Sequence, residues 1–129
     1  MKTFTTALAA LLITFNASAQ NKSSVYPLVV MFNSECCGVP SNKPLLKYIA
    51  TFKKTCNIKK LSACRIGPMG REGEYYLAFR LKELNKRQTT AFIKGVKTVV
   101  KKMKDKGSAT IEEQYNIAET GKECEMQKL

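Results

Sequence analysis

Histidine is absent from this 129-residue chain, and so is tryptophan. Without an imidazole the chain cannot by itself build a Ser-His or Cys-His nucleophile pair or a His-ligated metal site. Acidic residues are scarce: 10 Asp plus Glu stand against 22 Lys plus Arg, a formal net charge of +12. Glu35, Glu72, Glu74, Glu83, Glu112 and Glu113 show no spacing that forces two carboxylates into one cleft, so paired-carboxylate catalysis has no support in the sequence. No apolar run reaches the ~20 residues needed to cross a bilayer. The glycines of residues 67–73 (GPMGREG) are not followed by Lys-Ser or Lys-Thr, so this is not a phosphate-binding loop. These absences point away from catalytic machinery and toward a binding or interaction protein.

Residues 1–19 (MKTFTTALAALLITFNASA) have the three parts of a secretory signal. Lys2 is the positive end, the stretch from Ala7 to Phe15 is apolar, and Ala17-Ser18-Ala19 is a small-residue cleavage site. The chain is therefore expected to be exported, periplasmic or secreted, with cleavage near Ala19 and a polar leader over residues 20–24. Lys2 is the only charged residue removed, so the mature chain stays strongly basic. All five cysteines (Cys36, Cys37, Cys56, Cys64 and Cys124) lie beyond the cleavage site and reach a compartment where disulfides form. Five is odd, which leaves one thiol over.

With hydrophobic residues at 44% and charged residues at 25%, the composition fits one folded domain. Residues 25–32 (VYPLVVMF) form a continuous apolar run of strand length, the pattern of a central strand buried on both faces. Pro44 fits the first turn of a helix, and Leu45, Leu46, Ile49 and Phe52 recur at helical spacing, predicting a helix over residues 44–55. Residues 58–66 and 74–81 read as strands joined by the glycine-rich turn. The second of these places Tyr75, Leu77, Phe79 and Leu81 on one face. Asn85 and Gln88 have capping-box spacing, and Phe92, Val96, Val99 and Met103 mark the buried face of a long helix. Gly107 is expected to end that helix as its C-terminal cap. Residues 109–117 alternate, with Ile111, Tyr115 and Ile117 on one side; residues 118–129 read as a polar C-terminal tail, frayed at its end.

The order is β-α-β-β-α-β. It predicts an α+β domain of ferredoxin-like type over residues 25–117, with a four-stranded antiparallel sheet in the order 4-1-3-2 and two helices on one face. That topology sorts the cysteines. Cys56 and Cys64 are separated by strand-like chain that spans roughly 26 Å at ~3.3 Å per residue, far beyond the ~7 Å limit between bridged Cα atoms. The expected bridges are Cys36 or Cys37 with Cys64, and Cys56 with Cys124 if the tail folds back.

The same topology gathers a candidate binding edge from the loop after the first strand and the glycine-rich turn: Glu35, Cys36, Cys37, Arg65, Met69, Arg71 and Glu72. In the segment Ser34-Glu35-Cys36-Cys37-Gly38 two cysteines follow the first strand. In topology and in this loop position the chain resembles heavy-metal-associated domains. That resemblance implies an alternative reading, in which Cys36 and Cys37 hold copper or zinc as thiolates and Met69 adds a thioether. A thiolate near Arg65 and Arg71 would equally suit thiol redox chemistry. Otherwise no cofactor is expected.

The element order is also similar to that of RNA-recognition-motif domains. The stretch Glu74-Tyr75-Tyr76-Leu77-Ala78-Phe79 lacks their Lys/Arg-Gly-aromatic opening, and an exported chain does not meet RNA, so no nucleic-acid partner is expected. Lys94, Lys97, Lys101 and Lys104 recur at spacings of three and four and form a basic stripe. An anionic surface or an acidic protein is the partner such a stripe would attract.

Overall fold

A computed structural model describes residues 24–129. The expected export signal and residues 20–23 of the leader lie outside the described residues. The elements are β1 (Val25–Ser34), α1 (Lys43–Thr55), β2 (Ser62–Ile66), β3 (Tyr75–Phe79), α2 (Lys86–Val100), β4 (Gly107–Asn116), a 3-10 turn (Ile117–Thr120) and β5 (Cys124–Lys128). The strands form one antiparallel sheet in the order β4-β1-β3-β2-β5.

The sheet has five strands, which corrects the expectation of four. β5 runs along β2 in a register from Ser62↔Lys128 to Ile66↔Cys124. It satisfies a strand edge that would otherwise present unpaired N–H and C=O groups. Leu129 completes the attachment: it packs against the helix-side core, and its N–H donates to the Leu61 carbonyl at 2.9 Å. The tail is therefore not frayed. Its side chains are polar and mostly exposed, so hydrophobic patterning carried no trace of the strand.

Both helices cover one face. Leu45, Ile49 and Phe52 of α1 and Phe92, Val96 and Val100 of α2 pack on Leu28, Val30, Phe32, Ala63, Tyr75, Leu77 and Phe79. α2 opens with the expected capping box: Gln88 N–H donates to Asn85 Oδ1 at 2.9 Å, and Asn85 N–H donates to Gln88 Oε1 at 3.0 Å. The opposite face carries its own cluster of Tyr26, Val29, Cys64, Ile66 and Ala78, joined by Met31, Met69, Tyr76, Tyr115 and Ile117. Central β1 is thus buried on both sides, as its unbroken apolar run requires.

Two local expectations are corrected. Gly107 does not cap α2, which ends at Val100; it opens β4 opposite Ser34. A Cβ there would lie 2.1 Å from the Asn33 carbonyl oxygen, so the residue is glycine because two backbones meet. Ile111 and Tyr115 do not share a face either. Ile111 joins the helix side and Tyr115 the outer side. Gln114, at φ 55°, faces the unpaired Pro27 position of β1, and this left-handed residue reverses the side to which β4 turns its later side chains.

Gly107→Ala is expected to lower stability by at least ~2 kcal/mol, because a main-chain oxygen cannot yield as a side chain would. Gln114→Gly is expected to raise it by ~0.5–1 kcal/mol by removing the left-handed strain of an exposed non-glycine residue. Both are read as shifts in the urea midpoint at constant slope.

Candidate functional site

The predicted binding edge does not close into one site. Glu35, Cys36, Cys37, Arg71 and Glu72 are all exposed. Arg65 turns to the helix side, its guanidinium 3.9 Å above the Tyr75 ring, while Phe32 stacks on Tyr75 with centroids 4.5 Å apart. Burial pushes the Tyr75 hydroxyl above its ordinary pKa, against the pull of the Asn42 side chain and the Arg65 charge. Met69 instead packs on the outer face. Its N–H donates to the Glu74 carbonyl at 2.7 Å and closes the glycine-rich turn. Arg65 and Met69, four residues apart, therefore serve opposite sides of the sheet.

The loop after β1 is tied down by hydrogen bonds. Gly38 N–H donates to Ser34 Oγ at 3.2 Å, and Ser41 N–H donates to Asp105 Oδ2 at 3.4 Å. The Lys106 N–H, foremost, holds the exposed Asp105 carboxyl below its usual pKa, with Ser41 N–H adding to this.

The cysteines pair differently from the expectation. Cys64 and Cys124 are disulfide-compatible, with Cα atoms 5.3 Å apart across 60 residues. Cys36 and Cys37 lie against each other, with Cα atoms 3.8 Å apart, and Cys56 is in neither pair. The physical reason is β5. It brings Cys124 beside β2 on the outer face, where Cys64 is fully buried, whereas Cys56 packs against the helix-side core. Met69 belongs to the outer-face cluster, and no group of three or more His, Cys, Asp or Glu side chains able to hold a metal ion occurs among the described residues.

The basic stripe is real but shorter than the spacing suggested. Lys94 and Lys97 lie on α2, Lys101 caps it, and Lys104 falls beyond its end. With Thr90, Ile93, Thr98 and Glu113, these first three lysines line a groove of about 580 Å³. Lys97 forms an ion pair with Glu113 of β4, which leaves Lys94 and Lys101 as exposed cations along the groove.

A second hollow, of about 650 Å³, opens on the outer face of the sheet. Ile117, Ala118 and Met126 supply its apolar surface above the buried Tyr26, Cys64 and Ala78, and Arg80, Lys82 and Lys122 line it as well. The Arg80 guanidinium sits 4.2 Å above the Tyr26 ring. The segment of residues 117–123 leaves the outer edge of β4 and reaches β5 on the other edge, so it crosses this face. Ile117 N–H donates to the Ser24 carbonyl at 3.0 Å and pins the crossing where it starts. Sequence reasoning missed this hollow because it assigned no structure to residues 118–129. The available signal was Cys124 itself, a cysteine in an otherwise polar stretch.

No family model matches the chain, and no curated protein or solved structure matches it. The chemistry of its surfaces therefore has to carry the functional argument.

Two outcomes are expected. Cys124→Ser should lower stability by about 4 kcal/mol, the chain-entropy value for a loop of this length, whereas Cys36→Ser with Cys37→Ser should change it little. Thermal or urea unfolding of the oxidised proteins measures both. The Asp105 carboxyl should titrate with a midpoint below 3.8, seen by NMR. Because its folded pKa is depressed, its contribution is present at neutral pH and is lost only as pH falls through that midpoint.

Proposed function

We propose that this is an exported basic binding protein, without catalytic machinery of its own, that engages an anionic surface through α2 and the groove beside it. In this reading its core is a ferredoxin-like βαββαβ unit extended by one strand. The observation that carries the proposal is the placement of the lysines. The apolar side of α2 is consumed by the core, and Lys94, Lys97 and Lys101 are exposed along the groove. An excess of 12 positive charges gives such a ridge a field that attracts polyanions. The loop carrying Glu35, Cys36 and Cys37 is the less favoured contact, because its residues are exposed without converging and bring acidic as well as basic groups.

Export supports the choice of a surface over nucleic acid, and the sequence pattern of residues 1–19 supports export. The ridge is an electrostatic contact, so its strength should fall as salt shortens the ~10 Å screening length found at 0.1 M. Sedimentation with vesicles containing phosphatidylglycerol tests this. Binding is expected at low salt and should weaken strongly at physiological salt. Lys94→Gln with Lys101→Gln should reduce it about 30-fold, given ~1 kcal/mol per lysine at such a surface. Salt-independent binding, or none, would overturn the proposal.

A further inference from the structure

Neither helix carries an acidic residue. α1 reads KPLLKYIATFKKT and α2 reads KRQTTAFIKGVKTVV, so all 10 Asp and Glu lie in the loops, on β4, or in the crossing segment and β5. Helical spacing decides where the cations stand. On α1, Lys43, Lys47 and Lys54 follow one another at four and seven residues; Arg87, Lys94 and Lys101 follow at sevens along α2 and its cap. Both spacings keep residues on one side of a helix, and all six are exposed. Leu45, Ile49 and Phe52 of α1 and Phe92, Val96 and Val100 of α2 are turned to the sheet. Each cationic stripe therefore runs along the side of its helix that faces away from the core.

The two stripes are held side by side. The Tyr48 hydroxyl of α1 donates to the Ala91 and Phe92 carbonyls of α2, 3.4 Å from each, and its ring centroid lies 6.0 Å from that of Phe92. A Cβ on Gly95 would lie 2.0 Å from the Tyr48 hydroxyl oxygen, so the glycine makes room for this ring. Lys47 and Lys102 both line the groove between the helices. Packed helix axes stand ~8–10 Å apart, within the ~10 Å screening length at 0.1 M salt, so the fields of the stripes add. Lys53 and Lys97, off the stripes, are taken up by the Leu129 carbonyl and by Glu113.

We propose that the whole helical layer, α1 together with α2, lies flat on a bilayer containing anionic phospholipid, with both stripes against the headgroups. This rests on the proposed contact through α2 and adds to it a second helix and lipid as the partner. The residue types choose lipid. All the stripe cations except Arg87 are lysines, which are depleted in protein interfaces, where aromatic and arginine anchors carry the contact. Phe52 and Phe92 are buried, and the Tyr48 hydroxyl is engaged by α2, so the layer offers no open ring for a sugar to stack on. A lysine ammonium is a point charge on a flexible stem and imposes no fixed geometry on its counter-ion. That suits mobile lipid headgroups, where each lysine contributes ~1 kcal/mol.

Sedimentation of the oxidised protein with vesicles rich in phosphatidylglycerol, at about 0.1 M salt, tests the proposal. Lys43→Gln with Lys47→Gln should weaken adsorption about 30-fold, as much as Lys94→Gln with Lys101→Gln, and the four changes together about 1,000-fold. Lys82→Gln with Lys122→Gln removes the same charge from the outer face. It should stay within about threefold of the unaltered protein, because the sheet stands between those lysines and the bilayer. All six positions are exposed, and an unchanged urea midpoint verifies that each variant is folded. Loss in the Lys94/Lys101 variant with no loss in the Lys43/Lys47 variant would overturn the two-helix contact and leave the α2 reading standing. Equal loss in the Lys82/Lys122 variant would show that net charge alone governs adsorption and would overturn both. Capture by dextran sulfate without adsorption to vesicles would assign the layer to a linear polyanion and overturn lipid as the partner.

Discussion

The architecture depends on one requirement, that β1 be dry on both sides. Leu28, Val30 and Phe32 point to the helices and Val29 to the outer face, and all four are fully buried. Burying a strand of this kind stabilises by roughly 1.5–3 kcal/mol per large side chain, but only if each face finds a cover. The helices provide the first cover in the ordinary way. The second is assembled from what remains: Tyr76 set edge-on to Tyr115, Ile117 at the start of the crossing segment, and Met69 from the glycine-rich turn. These residues are only partly buried, so the outer layer is thin and leaves a hollow where a second pair of helices would otherwise sit.

Much of the frame was legible because the relevant signals are local. The run VYPLVVMF, the alternation of Tyr75, Leu77 and Phe79, the capping box at Asn85 and Gln88 and the helical spacing of Phe92 and Val96 each report on their own segment. What the sequence could not show were events between distant segments. Gly107 looks like a helix terminus until Asn33 is known to press against it. Gln114 looks like one more member of an alternating strand until its left-handed backbone turns Tyr115 away from Ile111. β5 has no apolar stripe, since its pairing with β2 is a main-chain matter and its side chains stay in water.

The candidate site shows the same division. The lysine spacing along α2 follows from helix geometry and was readable directly, apart from Lys104, which the early end of the helix excludes. The seven residues of the loop edge were grouped by topology alone, and the sheet separates two of them: Arg65 is occupied by Tyr75 on one side while Met69 packs on the other. Adjacent cysteines drew attention in the sequence, yet the pair that shapes a surface is Cys64 and Cys124. Both flank the outer hollow, with the Tyr26 hydroxyl 3.9 Å and the Met126 sulfur 3.6 Å from Cys124 Sγ. The two basic surfaces differ in kind. One is a ridge of exposed lysines on a helix; the other is a hollow on the outer face of the sheet, lined by an arginine stacked on Tyr26.

The crossing segment also sets an order of events. β5 follows every other strand in the chain, and the Cys64 and Cys124 walls of the hollow are 60 residues apart. A chain that emerges N-terminus first can pair β1 with β3 and seat both helices while residues 117–128 have yet to follow. During that interval the outer cluster is open and the hollow has no second wall. The outer face is thus the last part of the sheet to be covered, and the pairing of β5 with β2, which sets Cys124 beside Cys64, completes it.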